Sequence, residues 1–93
     1  MNSNALRSVL VIALRDPLEA MRVAAGITVF GHRAELVFAH GPLEVVPAVE
    51  ALAELLDLAD ISPRSLHDDD EVPGISDGDF HALFESVDFV INV

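Results

Sequence analysis

The hydrophobic pattern begins with a block. Val9 to Leu14 are six apolar residues in a row, and they end abruptly at Arg15-Asp16-Pro17. An unbroken run fits a parallel strand covered on both faces, whereas a half-exposed strand would alternate. A strand is predicted over residues 6–14. A helical pattern follows at once over 17–30, with Leu18, Met21, Ala25 and Thr28/Val29 as one apolar stripe, widened by Ala20, Val23, Ala24 and Ile27. Asp16 suits the N-cap, Pro17 the first helical position, and Glu19 stands three residues after the cap. Glu19 and Arg22 are spaced to pair. Gly31 after Phe30 suits a left-handed helix stop. Gly26 costs about 1 kcal/mol against Ala in a helix interior, so a close approach to the sheet or to another helix is expected there.

His32-Arg33 leads into a second strand over 34–40, which Gly41-Pro42 ends. Residues 43–46 read as a turn or short separate piece, because Pro47 disfavours a helical Val46. From Pro47 the pattern is amphipathic: Val49, Leu52, Ala53, Leu56 and Ala59 on one face, Glu50, Glu54 and Asp57 on the other. Residues 61–66 form a weak third strand, with Pro63 placing it at a strand start or a sheet edge. Residues 67–71 are a loop and 72–75 a short extended piece. Ser76 caps a third helix ending near Ser86, with Asp79 three residues after the cap and Phe80, Leu83 and Phe84 inward. A final strand covers 87–93. The first two strands joined through a helix form the parallel crossover unit. The expected architecture is a single α/β domain over 1–93, a three-layer α/β/α sandwich on a mostly parallel sheet of four to five strands. Residues 1–5 are polar and expected to fray.

Composition then narrows the function. A chain of 93 residues buries only about 60–65% of its unfolded surface, yet 52% of its residues are hydrophobic. Covering the surplus with another subunit resolves the mismatch. The net charge is −11, with Arg supplying all five strongly basic side chains. Phosphate contacts need a basic face, so a nucleic-acid partner is excluded, and an anionic membrane surface is disfavoured. Acidity of this kind keeps an apolar small protein in solution. Without cysteine there is no disulfide, thiolate or persulfide chemistry. No secretion signal or membrane-spanning run is visible, so the cytoplasm is the expected compartment. The absence of Lys removes the usual P-loop and the receiver-domain lysine, and no Gly-x-Ser-x-Gly elbow is present.

Candidate chemistry concentrates where the strands end. In open α/β sheets, ligands bind outside the carboxyl ends of the strands. Arg15, His40, Ser65 and His67 all fall at such ends and form the candidate ligand-binding set. Against this, Asp16 is explained by capping, and His40 by a strand end facing solvent or an interface. His67 with Asp68, Asp69, Asp70 and Glu71 resembles a metal site in composition. Consecutive acids without helical or EF-hand spacing read as a solvated loop instead. His32 is expected to serve as a charge partner for the preceding helix end, and His81 to lie on the outer face of its helix. No catalytic residue, metal or cofactor is expected.

Three passages carry a family resemblance. They are the opening strand with its charged turn and Leu18-Glu19-Ala20-Met21, then Phe30-Gly31-His32-Arg33-Ala34-Glu35-Leu36-Val37-Phe38, and then Val72-Pro73-Gly74-Ile75-Ser76 followed by Asp79 to Val90. With this order of elements the chain resembles the DsrE-like family of small α/β proteins, which includes subunits of bacterial sulfur-relay complexes. The resemblance covers almost the whole chain and implies an α/β fold, oligomerisation, and a final strand ending in a buried apolar run. Active carriers of that family use a cysteine in the segment corresponding roughly to 62–70. Here that segment holds Ser62, Ser65, His67 and acids, and serine forms no persulfide. The expectation is therefore a non-catalytic subunit, a structural or interaction partner in a sulfur-relay or related complex, in homo- or hetero-oligomers with DsrE-like subunits. The alternative is a small-molecule-binding protein or minor enzyme using Arg15, His40, Ser65 and His67.

Overall fold

The computed structural model describes residues 6–39, 46–67 and 72–93. The apolar block forms β1 (Ser8–Ala13), buried from Val9 to Ala13. It feeds α1 (Pro17–Val29), whose N-terminus is closed by Asp16: Oδ1 accepts from the Glu19 amide at 3.0 Å. Glu19 does not reach back to complete the box; its carboxylate pairs with Arg22 on the next turn. At the other end, Gly31 takes a left-handed φ of 86°. The His32 amide donates to the Ile27 carbonyl and the Gly31 amide to the Thr28 carbonyl, the two bonds of a Schellman stop. Phe30 is the cap rather than a helical residue.

β2 (Arg33–Phe38), α2 (Pro47–Leu58), β3 (Arg64–Ser65), α3 (Asp77–Ser86) and β4 (Phe89–Asn92) follow in order. The four strands make an all-parallel sheet in the order β3-β2-β1-β4. Alternation within the strands separates two layers of core. Val9, Val11 and Ala13 of β1 with Ala34, Leu36 and Phe38 of β2 meet Ala20, Met21 and Ala24 of α1 and Val49 and Leu56 of α2. Leu10, Ile12 and Val37 point the other way, where Phe80 and Leu83 of α3 and Val87 cover them. This is the expected α/β/α sandwich, with α1 and α2 on one face and α3 on the other.

Several expectations change in detail. β3 is two residues long, not six, because residue 63 is a proline and Ser65 turns its backbone to the 72–75 segment: its amide donates to the Pro73 carbonyl and its carbonyl accepts from Ile75. Phe84 is exposed rather than inward. The inward stripe of α3 runs through Phe80 and Leu83, while the Phe84 ring lies tilted against Phe80 at 6.3 Å. Ala53 is exposed as well, since α2 turns only Val49 and Leu56 fully inward. Gly26 makes no close approach: a Cβ there would meet nothing within 4 Å. Among the described residues the final strand is an edge, not a buried run, with Phe89 56% and Ile91 38% exposed. The turn at 41–45 and the acids at 68–71 lie outside the described residues. Among the described residues no helix is long and apolar enough to cross a membrane.

Candidate functional site

The parallel sheet directs every strand's carboxyl end to one edge. β1 delivers Arg15 there, β3 delivers Ser65 and His67, and β4 delivers Val93. His40 follows β2 in the sequence but lies outside the described residues.

Ser65 and His67 are brought together. Ser65 is buried, and its Oγ accepts the His67 amide at 3.0 Å. The His67 ring turns across the sheet edge and its Nε2 donates to the Ala39 carbonyl at 2.8 Å. A carbonyl accepts only, so this contact fixes the proton on Nε2. The Leu66 amide donates to the Phe38 carbonyl at 2.9 Å, so backbone and imidazole together strap the exit of β3 to the exit of β2. Arg64 adds a further tie, its Nε donating to the Gly74 carbonyl at 3.0 Å. These contacts are structural in kind: each side chain engages backbone.

Arg15 stands apart from that cluster. β2 separates β1 from β3, so two strand spacings, roughly 10 Å, lie between their exits. Arg15 is exposed, and its amide donates to the Val93 carbonyl at 3.0 Å. The Asp16 amide donates to the same carbonyl at 3.3 Å. This matters for binding. β1 and β4 flank the switch point of the sheet, where doubly wound folds hold their ligands against free amides at a helix N-terminus. Here a backbone carbonyl occupies two of those amides, and the Asp16 carboxylate caps a third. A negative side chain and an oxygen acceptor at that spot disfavour an anion.

The remaining histidines are also accounted for. The Nδ1 of His32 accepts the Arg7 amide at 3.1 Å, so the ring joins the start of β1 to the start of β2. That corrects the expectation of a charge partner for α1, whose last carbonyls are served by the Schellman bonds. His81 lies on the outer face of α3, 3.4 Å from Glu85.

A site the sequence did not point to lies on the α1/α2 face. α2 leaves the flank of β3 open, and a cleft of about 460 Å³ runs beside it. Met21, Phe38, Val49 and Ile61 form its apolar floor; Val72, Pro73 and Pro63 wall one side; Glu50 and Asp57 stand on α2 at the other. Glu50 and Asp57 were legible as one polar helix face, but the gap depends on how far α2 overlaps β3. Neither a family model, a curated protein nor a solved structure matches the chain.

Proposed function

We propose that this chain is a non-catalytic subunit of DsrE-like type, a structural or interaction partner within a sulfur-relay or related complex. The observation that carries the reading is the surplus of large apolar side chains left in water: Phe30 at 81%, Leu58 at 82%, and also Phe89, Ile91 and Leu55. The chemistry points the same way. Cysteine is absent, and the Ser65 hydroxyl and the His67 Nε2 are engaged in holding backbone. Expression of the tagged chain in its native host tests the reading. The expected result is co-purification with cysteine-bearing α/β subunits. Recovery of the chain alone, as a monomer, contradicts it.

A second reading, a small-molecule-binding protein, draws on the cleft rather than on Arg15, His40, Ser65 and His67. Ligand sites span roughly 300–1,000 Å³, which includes this volume. An apolar floor flanked by Glu50 and Asp57, the charged groups among its described lining residues, suits an apolar ligand bearing a basic group. A thermal-shift screen of hydrophobic amines is expected to raise Tm under this reading, and Glu50→Gln to weaken the effect. A flat screen removes the reading.

A further inference from the structure

Building on the assembly reading, we infer that β4 is a dimer interface, through which two copies of this chain pair antiparallel to form one continuous eight-stranded sheet. The two sheet edges differ. At β3 the 72–75 segment pairs with Ser65, Pro73 lies within it, and Arg64 locks it in place. That is a guarded edge. At β4, among the described residues, no strand lies on the outer side. Its sequence, Phe89-Val90-Ile91-Asn92, contains no charge and no proline.

The backbone of β4 is set for a partner strand. The Val93 amide donates inward to the Ile12 carbonyl at 2.9 Å. By the two-residue alternation of a strand, the amides of Val90 and Asn92 therefore face away from β1. Outward groups two residues apart are those that an antiparallel neighbour engages.

The side chains select what kind of neighbour. Phe89 and Ile91 lie in register with Val9 and Val11, so they sit on the α1/α2 face of the sheet. α1 lies over β1 and β2 and leaves these two uncovered. A twofold axis perpendicular to the sheet keeps each face on its own side. It therefore sets Phe89 and Ile91 of one copy against the same pair of the other, a self-complementary contact. Charge permits this arrangement despite the acidity of the chain. Asp88 precedes β4, and antiparallel pairing sends the two copies of it to opposite ends, at least about 14 Å apart along the strands. That exceeds the screening length of roughly 8 Å in physiological salt.

Light scattering on the intact chain and two variants tests the inference. Ile91→Lys places a charge on the exposed strand; Ala48→Lys places one at an exposed position at the start of α2, outside the apolar surface that carries the assembly reading. Circular dichroism checks that each variant folds. The expected result is a species of twice the 10.0-kDa chain mass at micromolar concentration, a dissociation constant raised roughly tenfold or more by Ile91→Lys, and no change with Ala48→Lys. If the chain associates but Ile91→Lys leaves association intact, the β4 interface is wrong while the assembly reading stands. If it associates only with a different protein, the second copy is the wrong occupant. If it remains a monomer alone and with every candidate subunit, both fall.

Discussion

Ser8 and Asp88 hold each other through two hydrogen bonds. The Ser8 amide donates to Asp88 Oδ2 at 2.8 Å, and the Asp88 amide donates to the Ser8 carbonyl at 2.8 Å. The pair sets the register in which β4 docks on β1. Asp88→Ala removes the acceptor for the Ser8 amide and is expected to cost about 1 kcal/mol, lowering Tm by roughly 4–8 °C. Asp88→Asn keeps an oxygen acceptor and should recover most of that loss. Thermal melts of the two variants check the difference.

Gly26 offers a gain. A methyl group added at its Cα would meet nothing within 4 Å. Gly26→Ala is expected to raise stability by about 1 kcal/mol through helix propensity alone. Denaturant titration measures it. A loss instead of a gain means that another surface packs closely on this part of α1.

Asp60 ends α2 as Gly31 ends α1. Its φ is 61°, and the Ile61 amide donates to the Leu56 carbonyl at 2.8 Å in the same helix-stop arrangement. The left-handed conformation costs an L-residue energy that glycine avoids. Asp60→Gly is therefore expected to stabilise by up to about 1 kcal/mol, and Asp60→Val to destabilise. Equal midpoints for the two in urea would contradict this geometry.

The Ser65–His67–Ala39 strap makes a prediction that separates structure from chemistry. Ser65→Ala leaves the His67 amide without its acceptor at a buried hydroxyl and is expected to cost about 1–2 kcal/mol. His67→Ala frees the Ala39 carbonyl and should cost about 1 kcal/mol. Because both act on one loop exit, the double variant is expected to lose less than the two singles together. Unfolding free energies from urea melts test the coupling; strict additivity would show that the two contacts do not form one strap.

Local chemistry was legible from the residues. The apolar run at Val9, the caps at Asp16 and Ser76, the stop at Gly31 and the start at Pro47 all lie where their side chains or backbone preferences dictate. What depends on distant contacts was not. Val87 to Val93 reads as a buried strand because apolar residues look alike at the centre and the edge of a sheet; the order β3-β2-β1-β4 decides which it is. The same holds for the candidate site. Strand ends place Arg15 and Ser65 on one edge, but no sequence pattern announces that the Val93 carbonyl takes the amides of Arg15 and Asp16. Nor could a pattern show that His67 reaches Ala39, twenty-eight residues away.

Amide hydrogen exchange at β4 tests assembly most directly, because it reads single residues. Val90 and Asn92 face outward in one copy and are engaged in a pair. Their exchange is predicted to slow as concentration rises, while the inward amide of Ile91 changes little beyond the gain in overall stability. Fast exchange at Val90 and Asn92 at every concentration, with Ile91 protected throughout, would contradict pairing through β4.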